Sequence, residues 1–378
     1  MANVFTAVAP VLYSAARIVP RELVGLLGAV NRNFNDMGVA KGDTVKIGLS
    51  PVATIASFTP SQTYSAGTDR TPTSATLTLS QENVSSWNMT AEEERSLANA
   101  GVAQDILAQT VSQHVRSHVN AIETYAWGVA RIAASRSTGT AGTDPFATDQ
   151  KPLADALKIL LDNGAGNMDL SAVINTTAGA NLRKVSNLFK VNESGDQSLL
   201  RAGELGQLYN FGIRESAAVT TATKGTGASY TSSTAGFAVG STSIAIITGT
   251  GTVLAGDTVT FAGDTNKYVV KTGVAAPGTI VLQEPGLLIA LGASAIAMTV
   301  GNTATQNLCL RRDAVVVVAR PGLQPVSADV DQMTIADPVS GLSFLLYRKP
   351  GNGMASWYVR TVFDAFAPNP YAIVQLLG

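Results

Sequence analysis

Hydrophobic positions change period several times along the chain. Behind Pro20, residues Leu23, Leu26, Leu27 and Val30 fall at i, i+3, i+4 and i+7, which predicts a short amphipathic helix within 20–34. The stretch 42–49 (GDTVKIGL) predicts a strand, and so does 74–80 (SATLTLS), where Ala75, Leu77 and Leu79 alternate with polar residues. The residues between them are rich in Ser, Thr and Pro and show no core pattern. Two strands joined by a long polar excursion make an extended hairpin, which is marginal alone in water and needs another surface to lie on. Residues 88–135 then return to helical spacing at Leu107, Val111, Val115, Ile122, Val129 and Ile132. Thr90 and Glu93 form a capping box, and Glu92, Glu93 and Glu94 suit the positive end of the helix dipole. Unbroken from Ala91 to Ser135, this helix would span about 68 Å; Gly101 is the place where it bends or stops.

Beyond a loop at 137–145, the pattern reads helix (152–164), buried strand (LSAVINT), helix (TAGANLRKVSNLF), a rhythm of a compact α/β unit. Near Ser216 the character changes. From Ala217 to Gly256 the only charged residue is Lys224. Short alternating strands follow (TSIAII, DTVTFA, KYVVKT, TIVLQE, AIAMTV), the signature of a small all-β barrel or sandwich over 216–304. The apolar run 287–300 is too short for a membrane span and predicts two buried strands. At 310–321 a continuous apolar run resembles a strand buried on both faces, so the α/β pattern resumes and the β segment reads as an insertion. The end is β again: 342–349 and 355–363 form a hairpin around Pro350-Gly351-Asn352-Gly353, and 371–377 is a last strand.

Composition adds a constraint. Hydrophobic residues are 46% of the 378, but charged residues only 14%, where about 25% is usual. A surface so poor in charge is either buried against neighbouring copies or simply a neutral, β-rich one. The net charge of −1 advertises neither nucleic acid nor an anionic membrane. The single cysteine, Cys309, excludes an intrachain disulfide and sits between leucines as a small core residue. The N-terminus lacks a basic region and is broken by Pro10, making a poor signal peptide, so a soluble, cytoplasmic, reduced protein is the default expectation.

Catalytic patterns are missing. The two histidines, His114 and His118, share a helix face at i, i+4, yet Glu does not follow the first and a third ligand would have to be a carboxylate. A metal-dependent hydrolase using this pair is one alternative function. GTGTVLAG (249–256) fails the nucleotide-loop and dinucleotide patterns and reads as turn glycines. No Gly-x-Ser-x-Gly elbow occurs, and Arg311-Arg312 reads as an edge salt bridge. The expectation is a non-enzymatic protein without cofactor or metal.

The chain opens MANVFTAVAPVLYSAARIVPRELVGLLGAV, followed by AKGDTVKIGLSP, with Val-Pro-Arg-Glu-Leu-Val-Gly at 19–25 and Ala-Lys-Gly-Asp-Thr-Val at 40–45. In these stretches and in its organisation it resembles the major capsid proteins of tailed double-stranded DNA phages with the Hong Kong 97-type fold, and most of all the P-twenty-two-like coat proteins. GELGQLYNFGIRESAAV (203–219) and NLCLRRDAVVVVARP (307–321) resemble the flanks of that family's inserted domain, and AGDTVTFAG (255–263) one of its strands. The resemblance implies an α+β capsid fold with a long spine helix, an extended β-hairpin loop and an inserted all-β, barrel-like domain. It divides the chain into an N-terminal arm (1–40), extended loop (41–85), peripheral domain with the spine helix (86–149), axial domain (150–215 and 305–335), inserted β domain (216–304) and closing peripheral strands (336–378). It implies an icosahedral shell assembled in the host cytoplasm and found in the virion, with hexamers and pentamers of the chain as partners. Scaffolding protein, portal and DNA packaged without sequence recognition are further partners on this basis; a membrane is not. Candidate subunit-interface residues are Arg21, Glu22, Tyr64, Arg70 and Glu92. The insert here is Thr- and Gly-rich, a departure that puts the family's ionic contacts through it in doubt. The alternative reading is a β-rich phage or cell-surface fibre or decoration protein.

Overall fold

In a computed structural model, the described residues are 22–34, 38–49, 55, 57, 60, 73–99, 103–189, 205–323 and 330–378. The fold is mixed α/β. Its centre is the helix Ala103–Ala133 lying on the strand Met354–Phe366. At 31 residues the helix is about 46 Å long. Its buried stripe runs Ala108, Val111, Val115, Val119, Ile122, Ala126, Ala130, Ala133, a spacing of threes and fours. Alanines supply half of that stripe and let the helix sit close to the sheet, so the seam lies nearer the alanines than the larger residues suggest: Leu107 and Val129 are only partly buried beside it. A separate helix, Ala91–Asn99, precedes it, with the capping box formed as expected: the Thr90 N–H donates to Glu93 Oε2 at 2.9 Å and the Glu93 N–H to Thr90 Oγ1 at 3.2 Å. Residues 100–102, where Gly101 stands, lie outside the described residues.

One sheet branches at Met354–Phe366. This strand pairs along one side with Gln81–Thr90; along the other it pairs first with Ser343–Pro350 and then with Val316–Pro321. Asn31–Phe34 adds parallel to Val316–Pro321, whose residues Val316 to Ala319 are all buried, as the apolar run predicts. The second sheet is centred on Ile373–Leu377, between Ala304–Arg311 and Arg136–Gly139. Ala304–Arg311 continues it into Leu170–Ile174 and Phe211–Glu215.

On its other side, Arg136–Gly139 pairs with Lys267–Thr272 and leads into a ring of strands. In that ring Thr258–Phe261, Ala297–Val300, Ala228–Ser232, Ser243–Thr250, Gly278–Leu282 and Lys267–Thr272 pair in turn, and the last pairs back with the first. The ring is therefore a barrel, which removes its sheet edges. It encloses its own core of Tyr230, Ile244, Ile246, Val259, Phe261, Tyr268, Val270, Ile280, Leu282 and Met298. Of the two strands expected within 287–300 one forms, at Ala297–Val300; Leu287 and Leu291 instead enter the barrel core from irregular backbone.

The helix expected within 20–34 is one turn, Leu26–Ala29, followed by the strand Asn31–Phe34. Packing shortens it. A Cβ on Gly25 would stand 2.4 Å from the carbonyl oxygen of Glu215, so the chain passes there in close backbone contact. The following residues gain a sheet partner in Val316–Pro321. Leu26, Leu27 and Val30 are buried as the pattern requires, whereas Leu23 remains 49% exposed.

Candidate assembly surface

Thr44–Leu49 and Thr73–Thr78 form the predicted hairpin and, among the described residues, pair with no third strand. Its base is anchored: Leu77 and Leu79 are buried with Val39, Val316, Val318 and Val362. Above the base, Thr44, Lys46, Gly48, Ser74, Thr76 and Thr78 are exposed. A two-stranded ribbon without a covering layer leaves one row of backbone groups open on each edge.

Residues 22–30 are tied to the long helix by a carboxylate at each end. Glu22 accepts from Arg116 Nε at 2.7 Å, from Arg116 Nη2 and from the Asn120 amide, and these bonds hold its pKa down at about 2. Glu123 is buried and accepts the N–H groups of Leu26 (2.7 Å) and Leu27 (3.0 Å) and the Ser216 hydroxyl (2.8 Å). It thus satisfies two of the open donors of the short helix turn and joins three distant segments, while burial raises its pKa. Beside it, Arg183 grips Glu215 with two bonds of 2.6 and 2.7 Å. Gly179 makes room for that grip, since a Cβ there would stand 1.7 Å from Glu215 Oε1.

The barrel is fastened where the long helix ends. Gln283 Nε2 donates to the Ile132 carbonyl at 2.8 Å and Gln375 Nε2 to the Arg131 carbonyl at 2.6 Å, so two glutamines from elsewhere in the chain satisfy last-turn carbonyls. Gln306 accepts from Trp127 Nε1 through its backbone carbonyl (3.0 Å) and donates to the Gly256 carbonyl (3.2 Å). The barrel also exposes Val239, Ile247, Leu254 and Ile289. The glutamines carry no pattern that sequence reading could have flagged; their role exists only once three segments meet.

His114 and His118 serve packing. His114 stacks on Trp87 at 4.6 Å, Trp87 on Trp357 at 5.8 Å, and the Arg348 guanidinium lies 5.7 Å over Trp357, making a column of planar groups between helix and sheet. His118 Nε2 lies 2.9 Å from Ser85 Oγ, with its ring tilted against Phe344. Burial, with the neighbouring His114 charge, pushes its pKa down to about 4. Among the described residues no group of three or more His, Cys, Asp or Glu could hold a metal, and no helix is long and apolar enough to cross a membrane. Cys309 is fully buried, which pushes its thiol up to about 12. Arg311 bonds Asp313 and the Ala165 carbonyl, the edge pairing expected of it.

Of the five candidate interface residues, Arg21, Tyr64 and Arg70 lie outside the described residues. Glu22 is engaged within its own chain, and Glu92 stands exposed in the first turn of Ala91–Asn99.

No family model matches the chain and no curated protein matches it in sequence. Solved structures similar to it are capsid proteins of phages and related particles. The capsid of an empty GTA particle aligns over 95% of this chain and 91% of its own, with a TM-score of 0.49 and 13% identity. The capsid of the cyanophage P-SCSP1u covers 95% and 89%, at 0.47 and 12%. The mature capsid of bacteriophage PhiM1 covers 93% and 85%, at 0.44 and 13%.

Proposed function

We propose that the chain is a major capsid protein of the Hong Kong 97-type fold, which assembles in many copies into a closed shell around a double-stranded DNA genome. The observation that carries this reading is the hairpin Thr44–Leu49/Thr73–Thr78, anchored at its base and, among the described residues, paired with no third strand. Such a ribbon is unfavourable on a free monomer and favourable against a neighbouring subunit. In this reading residues 1–40 are the arm, 41–85 the loop overlapping a neighbour, and 86–149 with 336–378 the peripheral domain around the spine helix. Residues 150–215 and 305–335 are the axial domain, and the barrel within 216–304 is an inserted domain. The partners are hexamers and pentamers of the same chain, a scaffolding protein, a portal and packaged DNA. The role is structural, located in the virion after assembly in the host cytoplasm. Arg21, Tyr64, Arg70 and Glu92 are its proposed interface residues; Glu22 orients the arm from within. Weak contacts repeated over many copies suffice, because closure multiplies them.

Sedimentation and negative-stain microscopy of the protein co-expressed with a scaffolding partner test the reading. Closed particles are expected, and monomer alone near 39 kDa would overturn it. Deleting residues 50–74 should leave a folded subunit that is damaged in assembly; a deletion variant that builds normal shells would remove the hairpin from the assembly surface.

A further inference from the structure

The chain contains two Asn-Gly pairs, Asn163-Gly164 and Asn352-Gly353. Glycine leaves its own amide nitrogen unobstructed, so in such a pair that nitrogen can attack the side-chain carbonyl carbon of the preceding asparagine. The fold treats the two pairs differently. At the end of the helix Lys151–Asp162, Asn163 Nδ2 donates to Ser135 Oγ (2.9 Å) and to the Tyr371 carbonyl (3.0 Å), and its Oδ1 accepts from Arg136 Nη2 (3.0 Å). The Gly164 N–H is also engaged, donating to the Leu161 carbonyl at 2.9 Å. Attack at Asn163 would require breaking all four bonds. Asn352 sits at the tip of the turn between Ser343–Pro350 and Met354–Phe366, where residues 351–354 are all exposed. Its side chain makes no hydrogen bond to another described residue, and the Gly353 N–H, at φ +71°, donates to none of them either.

We infer that Asn352 is a site of spontaneous covalent modification by succinimide formation. The Gly353 amide nitrogen forms a bond to Asn352 Cγ as its proton passes to solvent base. The Cγ–Nδ2 bond breaks, and the nitrogen leaves as ammonia after taking up a proton. One water then opens the ring at either carbonyl, leaving aspartate or an isoaspartyl linkage; nothing is oxidised or reduced. The consequence is local. The Gly353 carbonyl accepts the N–H of Ala91 at 3.0 Å, at the start of the helix that carries Glu92, Glu93 and Glu94. A new carboxylate there adds like charge, and an isoaspartyl linkage inserts an extra methylene into the main chain one residue before the carbonyl that holds the helix end.

The test is peptide mass spectrometry on the full chain incubated in mildly alkaline buffer, folded and in urea. In the folded protein the Asn352 peptide should gain one mass unit and split into aspartyl and isoaspartyl forms, with the Asn163 peptide slower by about tenfold or more, because its conversion waits on local opening. In urea the two should convert at comparable rates, and Gly353→Ala should suppress conversion at 352 alone. Equal rates at the two sites in the folded protein, or conversion at Asn163 first, would overturn the inference.

Discussion

At Gly42-Asp43 and again at Gly256-Asp257 the chain makes the same turn. Asp43 Oδ2 accepts the Ala40 N–H at 2.9 Å, and Asp257 Oδ2 the Leu254 N–H at 2.8 Å. Both glycines hold a positive φ, +98° and +87°. Gly42 donates to the Leu79 carbonyl, which begins a pair closed by the Leu79 N–H on Asp43; Gly256 and Val270 repeat that exchange with Asp257, at matching distances of 2.8 and 2.9 Å. Beyond the turn the two strands diverge. Thr258–Phe261 has strands on both sides, with Val259 and Phe261 buried. Among the described residues Thr44–Leu49 has one neighbour, and it presents Thr44, Lys46 and Gly48 outward. One local grammar therefore produces a finished wall in one place and an unfinished ribbon in the other. The unfinished one is where a partner subunit is expected.

The contrast breaks most easily at the aspartates. Asp257→Ala should cost about 2 kcal/mol, because the buried N–H of Gly225 and the part-buried N–H of Leu254 both lose their acceptor. Equilibrium urea unfolding followed by circular dichroism measures it. The body offers an acid reference of similar size. His118 titrates at about 4 in the fold against about 6.5 unfolded, so its neutral, packed form stabilises the protein above that range. The stability is lost as pH falls from about 6.5 to about 4, by up to about 3 kcal/mol. In His118→Gln this slope should be absent, and persistence of the full slope would assign acid sensitivity elsewhere.

Gly256→Ala should cost about 2 kcal/mol, from the positive φ and from the Arg131 guanidinium 2.7 Å from the new Cβ. Gly42→Ala meets nothing within 4 Å and should cost about 1 kcal/mol from φ alone. Smallest is Asp43→Ala in the free subunit, at about 0.5 kcal/mol, since water can replace an exposed acceptor. If Asp43→Ala destabilised the monomer as much as Asp257→Ala, the hairpin would already be covered within its own chain.

Much of this was legible in the chain. The capping box at Thr90 and Glu93, the barrel strands, the doubly buried run at 316–319 and the hairpin around Asn352-Gly353 all rest on local chemistry that survives folding. The short helix near Leu26 was overread, because a period of 3.6 does not reveal that Gly25 must pass against Glu215. The residues that hold segments together were silent: Glu123, Gln283, Gln306 and Gln375 are ordinary polar positions until distant backbone groups come within reach.

By itself, the sequence determined where turns fall and which faces are apolar, because turn chemistry and hydrophobic period act over a few residues. Only the tertiary structure decided that one Gly-Asp-Thr-Val strand closes a barrel while its twin, among the described residues, pairs with a single strand. It alone decided that a buried carboxylate on the long helix binds the turn that begins at Leu26. These outcomes depend on which segments meet across tens to hundreds of residues, and burial and hydrogen-bond satisfaction are set only at that meeting.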